Sequence, residues 1–497
     1  MTMARRLRDG AAGWLGDPWS WAPAVLLGIG LFVLLVVFVA ADPAPGVTFS
    51  GSPYSDEGWN VVGARNLALL GRWSTDQWNL YLLQAPFSLL MAAGFAAFGV
   101  GIVQARLLCI GMVALATLGL GLGLRRAFGP FPAVLAALGL ATSQLILYYG
   151  RLVYLEDLVV LALVLATLTL VRAERHVARW GFLAGIGLAV AIGAKTTAIL
   201  PVAGLVAGVA IFGWVAERRF LIWAASATVV VVAAGVAWVI VLYLPNRAAI
   251  ADDLLILAPV SLPATLGALR DQLLHLPRSD GLWLRNWPLL AGASVGLVLA
   301  LAGPDRFRGV RGALLCAAIG WLLVGGGAYA VVTYQPNRYL LPLLPPLAII
   351  VAAGASALAP LLRRHGRAWL RAVVAVSAAM ALSLPGLVTY ASWMQHATYR
   401  LPLIQEEART TVPADAASFG AFAPIVLMRA RVVTIARTVG QQAHADLYAT
   451  RGVRWFVAAR GATVEPVATL HPTAWAARTA AYCAQWGGGA VCVYHVP

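Results

Sequence analysis

Long apolar runs alternate with short polar segments over roughly the first 390 residues. About twenty consecutive apolar residues form a helix long enough to cross the hydrocarbon core of a bilayer. The pattern therefore predicts a mainly α-helical, polytopic membrane protein with about eleven transmembrane helices plus interfacial helices. The predicted spans lie near residues 22–41, 107–124, 131–149, 158–171, 181–194, 197–215, 221–244, 287–302, 313–332, 339–359 and 369–390.

Two segments after the first span have a different pattern. Residues 42–81, the first outer loop, have helical spacing, with Glu57, Arg65 and Arg72 on a polar side, which predicts short helices along the membrane interface. Residues 82–100 are apolar, but if they crossed the bilayer every later basic cluster would lie outside the cell. We therefore predict that 82–100 is a membrane-lying or re-entrant segment.

The charges of the chain define its orientation. Only 11% of the residues are charged, yet the net charge is +16, and arginines concentrate in short loops between apolar runs. This distribution is typical of cytoplasmic loops rather than of nucleic-acid binding, and anionic membrane lipids are the expected partners of the remaining basic residues. We predict a multi-pass protein of the plasma or inner membrane, with a cytoplasmic N-terminus and an extracytoplasmic C-terminus.

The tail after residue 391 is more polar and contains short alternating stretches. Residues 417–422, 454–458 and 491–496 read as strands and 441–450 as a helix, so residues 392–497 are predicted to form a small extracytoplasmic α/β domain. The transmembrane domain, residues 1–391, includes a second, large outer loop at 245–285. Cys483 and Cys492 flank three glycines and could form a disulfide in an oxidising compartment.

Charged residues recur where the predicted topology places the outer boundary of the membrane. They comprise Asp56, Glu57, Arg106, Arg151, Glu156, Asp157, Lys195 and Arg338. Charges at membrane depth usually face a cavity or one another, and acids with nearby cations suit the departure of a phosphate. Each also has a plainer explanation: Arg106 could snorkel at a span end, Glu156 could favour a helix N-terminus, and Lys195 could mark a span boundary.

Four motifs in this order resemble those of GT-C glycosyltransferases, in particular the protein O-mannosyltransferases and the aminoarabinose (lipid A) transferases. They are Asp56-Glu57-Gly58-Trp59, Tyr154-Leu155-Glu156-Asp157, Gly193-Ala194-Lys195 and Asn337-Arg338-Tyr339. Gln84 departs from the lysine that the aminoarabinose transferases have there. The large inserted outer domain of the eukaryotic mannosyltransferases is absent from the sequence.

The resemblance implies inverting transfer of a sugar from a polyprenyl-phosphate donor to an extracytoplasmic acceptor. It implies that Asp56 is the general base, with Glu57 helping to place the acceptor. The donor phosphate would be held by Arg106, Lys195, Arg338 and Tyr339. Glu156 and Asp157 would form a second acidic position, and a divalent cation bound by Asp56 and Asp157 is a candidate cofactor.

Two other functions are open at this stage. A lipid-linked sugar flippase or transporter would have functional charges near the bilayer midplane and internal repeats, and we find no repeat in the sequence. A scaffold for cell-envelope enzymes would tolerate single substitutions throughout the charged cluster.

Overall fold

A computed structural model of the chain describes residues 21–43, 55–75, 80–174, 176–251, 265, 267–268, 270, 286–303, 308–332, 336–365, 368–435, 446–465, 467–486 and 489–497. Most of the predicted loop 245–285 and the first half of the predicted helix 441–450 lie outside the described residues.

Apolar helices form a bundle in the first four fifths of the chain. In chain order they are α1 (Ala22–Val37), α2 (Asp56–Leu70), α3 (Leu80–Leu83), α4 (Ala85–Phe98), α5 (Ile102–Phe128), α6 (Pro130–Ala141), α7 (Gln144–Tyr149), α8 (Leu155–Leu168), α9 (Val177–Ala194), α10 (Ile199–Val215), α11 (Arg219–Trp238), α12 (Trp287–Ala302), α13 (Gly309–Trp321), α14 (Gly327–Val331), α15 (Leu344–His365) and α16 (Ala368–Met394). Short 3₁₀ and π segments extend or connect these helices. The 3₁₀ segments are Thr169–Arg172, Thr196–Ala198 and Asn337–Leu343, and the π segments are Val239–Tyr243 and Leu322–Gly326.

Among the described residues, seven helical stretches are long and apolar enough to cross a membrane, namely Ile102–Phe128, Val177–Ala194, Thr196–Val215, Arg219–Tyr243, Gly309–Val331, Asn337–Pro360 and Trp369–Met394. Shorter apolar helices include α1, α4, α6 and α12. The protein is thus mainly helical, as predicted, while the number of eleven spans stays a prediction. The single span predicted at 131–149 is wrong: the helix ends at Ala141, and the Ser143 hydroxyl accepts from the Ile146 N–H to start α7.

Glycines allow several helices of the bundle to approach closely. A Cβ added to Gly204 on α10 would lie 2.3 Å from the Gly320 carbonyl oxygen on α13. Such a distance is far below van der Waals contact, so a larger residue would force these two backbones apart. The close contact holds α10 and α13 together beside the charged cluster described below.

The bundle has two chemically different ends. At one end, here called the site end, Arg106 near the start of α5 donates from Nη1 to the carbonyl oxygens of Val39 (2.9 Å) and Ala41 (2.7 Å), just after α1. At the other, the far end, Arg311 donates from Nε to the Ala127 carbonyl oxygen at 2.5 Å. Gly309 N–H donates there to the Glu217 carboxylate. Basic loops therefore gather at the far end, as the charge pattern predicts.

Residues 82–100 begin and end at the site end. Gln84 Nε2 donates to the Asn60 carbonyl oxygen of α2 at 2.7 Å, and the segment leads directly into α5, which starts beside the end of α1. Helix α4 has 14 residues. At 1.5 Å per residue it is about 21 Å long, shorter than the hydrocarbon core. The segment returns to the end from which it starts, and that it lies in the membrane without crossing stays a prediction.

The tail forms a small α/β unit. Strands β1 (Ala417–Phe419), β2 (Val433–Ile435), β3 (Trp455–Ala459), β4 (Thr479–Trp486) and β5 (Gly489–His495) form a sheet of order β2-β1-β3-β5-β4, and the helices are α17 (Arg400–Thr411), α18 (Ala423–Val426), α19 (Leu447–Arg451), α20 (Val467–Leu470) and α21 (Pro472–Ala476). The first three strands are parallel, while β5 pairs antiparallel with β3 and β4. Cys483 and Cys492 lie opposite each other on β4 and β5 and are disulfide bonded.

The tail is docked on α2 at the site end. Arg65 of α2 is completely buried and donates to the carbonyl oxygens of Leu427, Met428 and Ala430, which follow α18. Trp59 Nε1 donates to the Ala421 carbonyl oxygen at 3.1 Å. The prediction that Glu57 and Arg65 lie on the polar side of an interfacial helix is therefore wrong, because the tail and the bundle bury both side chains.

Candidate active site

Asp56 is the first residue of α2, where a carboxylate is stabilised by the unpaired N–H groups and dipole of the helix start. Its side chain is about one third exposed, and Oδ2 lies 3.1 Å from Nη1 of Arg338. Arg338 belongs to the 3₁₀ segment Asn337–Leu343, far along the chain. The structure therefore brings the first and last of the four motifs together at an accessible position.

Arg338 connects Asp56 to a second acidic residue. Its Nε lies 3.8 Å from Oε1 of Glu156, and the same oxygen accepts a hydrogen bond of 2.5 Å from Lys195 Nζ. Glu156 is in the first turn of α8, and Lys195 follows α9. The order Asp56, Arg338, Glu156 and Lys195 alternates acids with bases, so the cluster carries no net formal charge.

Tyr339 lies under the lysine of this cluster. Lys195 Nζ is 3.6 Å from the centroid of the Tyr339 ring, close enough for a cation–π interaction. The two residues and Glu156 line a cavity of about 120 Å³. The other residues that line it are Val159, Thr197, Ala198, Leu200, Pro201, Gly325, Ala328, Tyr329, Val332, Pro342 and Leu343. The charges therefore lie beside a cavity with predominantly apolar walls.

The environment changes the acidity of Lys195. Burial, the largest effect, and the cation of Arg338 lower the pKa of its ammonium group, whereas Glu156 raises it by stabilising the charged form, and together these effects leave the pKa at about 8. A lysine whose pKa lies this close to neutrality responds to small changes in local charge. Loss of the Glu156 charge or arrival of another anion would therefore change its protonation.

Glu57 and Arg106 form a separate, completely buried pair. Arg106 donates from Nε to Oε1 at 2.7 Å and from Nη2 to Oε2 at 2.6 Å, and Oε1 also accepts from the Val153 N–H at 3.1 Å. The other terminal nitrogen of Arg106 caps the carbonyl groups after α1. These contacts argue against the roles predicted for Glu57 at the acceptor and for Arg106 at the donor phosphate, because neither side chain is accessible.

Asp157 is buried beside the cluster rather than in it. Its carboxylate is fully enclosed in the first turn of α8, near the thiol of Cys109. In the described part of the chain, no group of three or more histidine, cysteine or acidic side chains is placed to hold a metal ion. The predicted pairing of Asp56 with Asp157 as metal ligands therefore gains no support from the geometry.

The buried contacts of two arginines in the site region were not predicted. Arg65 fixes the tail to the helix that carries Asp56, and Arg151 is buried where Nη1 donates to the Ala41 carbonyl oxygen at 2.7 Å and the guanidinium packs 4.4 Å from the Trp393 ring. Their partners are backbone carbonyl groups distant in sequence. A local sequence pattern contains no signal for such contacts.

Residues 84–240 match the family model described as dolichyl-phosphate-mannose-protein mannosyltransferase. This stretch includes Arg106, Glu156 and Lys195 and ends before Arg338. No curated protein matches the chain.

Solved structures match over nearly the whole chain. ArnT from Cupriavidus metallidurans bound to undecaprenyl phosphate has a TM-score of 0.67 and 16% identity, with 97% of this chain and 98% of that chain covered. The oligosaccharyltransferase AglB from Archaeoglobus fulgidus, in complex with an inhibitory peptide and a dolichol-phosphate, has a TM-score of 0.52 and 13% identity, covering 90% and 70%. The arabinofuranosyltransferase AftD from Mycobacteria has a TM-score of 0.52 and 17% identity, covering 97% and 40%.

These similarities confirm the predicted resemblance to GT-C glycosyltransferases. The likeness to the solved structures establishes the fold of the chain, and the helical bundle with its small strand-containing tail is the arrangement of ArnT.

Proposed function

We propose that this multi-pass membrane protein with the GT-C fold transfers a sugar from a polyprenyl-phosphate donor to an extracytoplasmic acceptor, with inversion at the anomeric carbon. The observation that carries the proposal is the link from the accessible Asp56 carboxylate through Arg338 to Lys195 at an apolar cavity. The two cations suit the phosphate of a lipid carrier, and the apolar wall beside them suits its hydrocarbon chain. The acid on the other side of the cations suits deprotonation of an incoming nucleophile.

The donor phosphate would bind to Lys195 and Arg338. Both cations border Glu156, and the phenol of Tyr339 lies directly beside Lys195. The polyprenyl chain would follow the apolar wall formed by residues such as Leu200, Pro201 and Val332. Undecaprenyl phosphate and dolichol-phosphate, bound in structures of ArnT and AglB, belong to this class of carrier and support the assignment.

Asp56 would act as the general base. It would take the proton of the acceptor as the acceptor attacks the anomeric carbon from the face opposite the phosphate, and the bond between that carbon and the phosphate oxygen would break. The electron pair stays on the phosphate, where Lys195 and Arg338 would stabilise the developing charge. The contact between Asp56 and Arg338 at 3.1 Å would keep the Asp56 carboxylate in place.

When the donor is absent, the Glu156 carboxylate would pair with the two cations that otherwise bind the phosphate. Its Oε1 contacts both proposed phosphate ligands, at 2.5 Å from Lys195 Nζ and 3.8 Å from Arg338 Nε. An arriving phosphate would have to compete with this carboxylate for the two cations. After transfer, Glu156 would compete again and so favour release of the lipid phosphate.

Glu57 and Arg106 would position the site without contacting substrate. Their buried pair joins the start of α2 to α5 and to the end of α1, which fixes the direction of the helix that carries Asp56. We therefore replace the predicted substrate contacts of both residues with this positioning role.

A flippase or transporter is the alternative function. It would require charges along a path through the bilayer, whereas the described charges of the cluster all lie at the site end of the bundle. This distribution favours chemistry at one membrane surface, which we take to be extracytoplasmic because the basic loops lie at the far end.

The test is transfer of labelled sugar from lipid-linked donors in membranes that contain the protein. We expect Asp56→Asn to reduce transfer by at least about 100-fold, the lower range for loss of a general base. Glu406→Gln, which removes an exposed carboxylate from the tail, is the matched control and should keep full activity. Full activity of folded Asp56→Asn would contradict the proposal, and lipid translocation in liposomes without any transfer would favour the flippase.

A further inference from the structure

A second cavity lies at the far end of the bundle, remote from the charged cluster. It is enclosed by residues of α1, α5, α8 and α9 and has a volume of about 460 Å³, within the range of about 300–1,000 Å³ usual for ligand sites. We call it the far-end groove. Its lining residues are Trp21, Val25, Gly119, Leu122, Gly123, Arg125, Arg126, Leu165, Leu168, Thr169, Val171, Arg172 and Trp180.

The groove lies about one bilayer thickness from the proposed active site. Arg106 and Arg125 belong to the same helix, α5, and are 19 positions apart. At 1.5 Å per residue this separation is about 28 Å, which matches the hydrocarbon core of about 30 Å. The arginines of the groove are therefore at the level of the opposite lipid headgroups, and the groove is independent of donor binding.

The chemistry of the groove is divided between its rim and its walls. Arg125, Arg126 and Arg172 supply three guanidinium groups, and none of the described lining residues is acidic. The pKa of Arg172 is lowered by burial and next by the nearby cation of Arg126, so these two guanidinium groups are neighbours. A single anionic head group could contact both.

The walls suit a hydrocarbon chain. Gly119 and Gly123 belong to the wall on α5, and Leu168 of α8 packs against both: a Cβ added to Gly119 would lie 3.6 Å from its Cδ1, and one added to Gly123 would lie 2.3 Å from its Cδ2. Leu122, Leu165 and Leu168 provide apolar surface, and Trp180 adds an aromatic ring of the type enriched at membrane interfaces. An occupant must therefore combine an anionic head with an apolar tail.

We propose that the far-end groove binds an anionic phospholipid of the adjacent leaflet. Its phosphate would contact Arg126 and Arg172, and one acyl chain would lie along the apolar wall that α5 and α8 form. Charge complementarity favours this occupant over the chain's own N-terminal segment, since residues 1–20 contain three arginines, Arg5, Arg6 and Arg8, against Asp9 and Asp17. A net basic segment would be repelled by the arginines of the groove.

Native mass spectrometry of the purified full chain, with phosphatidylglycerol or phosphatidylcholine added at equal concentration, tests the proposal. We expect preferential retention of phosphatidylglycerol, reduced about tenfold or more in the double variant Arg126→Gln/Arg172→Gln, since each basic residue contributes about 1 kcal/mol to anionic-lipid binding. Arg218→Gln removes an exposed charge from the same end outside the groove and should leave retention unchanged.

A second variant separates the groove from general surface attraction. Gly119→Leu adds a bulky side chain to the wall of the groove without changing charge, so it should also reduce phosphatidylglycerol retention. Inorganic phosphate, which lacks an acyl chain, should not displace the lipid at millimolar concentration. Equal retention of the two lipids, an equal loss in Arg218→Gln, unchanged retention in Gly119→Leu, or displacement by inorganic phosphate would each overturn the proposal.

Discussion

Arg106 binds the Glu57 carboxylate through two hydrogen bonds, of 2.7 and 2.6 Å, and both side chains are completely buried. Asp56, the residue before Glu57, is instead accessible and faces Arg338. Consecutive residues of an α-helix point about 100° apart, so one acid of the pair turns into the bundle and the other toward the cavity end. Neutral substitutions of the two carboxylates should therefore affect stability and activity differently.

Glu57→Gln should mainly destabilise the protein. Removing one partner of a buried ion pair leaves an uncompensated charge and typically costs about 3–5 kcal/mol. We expect a lower melting temperature for purified Glu57→Gln, and an unchanged one for Asp56→Asn despite its loss of transfer. The double variant Glu57→Gln/Arg106→Met should recover part of the lost stability. A normally stable but inactive Glu57→Gln variant would instead indicate that Glu57 contacts the substrate, as the sequence predicted.

The pH dependence of donor use should report the protonation of Lys195. The pKa of this ammonium group is lowered to about 8, first by burial, so the cation is present below that pH and is lost as the pH rises through it. We expect kcat/KM for the donor to fall above about pH 8. Lys195→Arg should keep its charge to much higher pH because a guanidinium stays protonated. An identical profile in both proteins would exclude Lys195 as the titrating group.

Glu156→Gln should bind the lipid phosphate more tightly than the wild type. The substitution removes the carboxylate that lies 2.5 Å from Lys195 Nζ, so an incoming phosphate no longer competes with it. We expect the Kd for undecaprenyl phosphate to fall by roughly tenfold, equivalent to about 1.4 kcal/mol, and turnover to fall as release slows. A folding defect could not tighten binding.

The Kd should be measured at about pH 6.5, where Lys195 stays protonated, because loss of the Glu156 charge lowers the pKa of Lys195 further. Glu156→Asp keeps the negative charge and serves as the control, with a Kd near that of the wild type. Weaker binding by Glu156→Gln would show that this carboxylate supports phosphate binding instead of competing with it. Absence of undecaprenyl phosphate binding to the wild type would contradict the proposed donor itself.

The fold was largely predictable because bilayer length and charge distribution act locally along the sequence. The tail was harder: β2 has only three residues, and β4 is mostly exposed, so it lacks the continuous buried stretch of β3 and β5. The helix break after Ala141 was missed because Thr142 and Ser143 interrupt an otherwise apolar run only briefly. Hydropathy does not detect a short polar interruption that the backbone uses to change direction.

The site was predictable in composition but not in pairing. The motifs correctly group Asp56, Glu156, Lys195 and Arg338 at one end, yet the sequence does not reveal which acid faces which base. Arg106 was expected at the phosphate because a cation near a span end suits that role equally well. Its burial follows from the carbonyl groups after α1, which are 65 and more positions away in sequence.

Gly58→Ala should loosen the tail from α2 and reduce transfer. An added Cβ would lie 2.4 Å from the backbone nitrogen of Ile425, so α18 must move, at a cost of about 1–3 kcal/mol typical of overpacking. Because Gly58 is two residues after Asp56, the displacement also reaches the proposed base. We expect faster hydrogen exchange in 420–430 and lower activity. Gly235→Ala, where nothing lies within 4 Å of the added Cβ, is the control, and equal behaviour of the two variants would show that tail docking does not position Asp56.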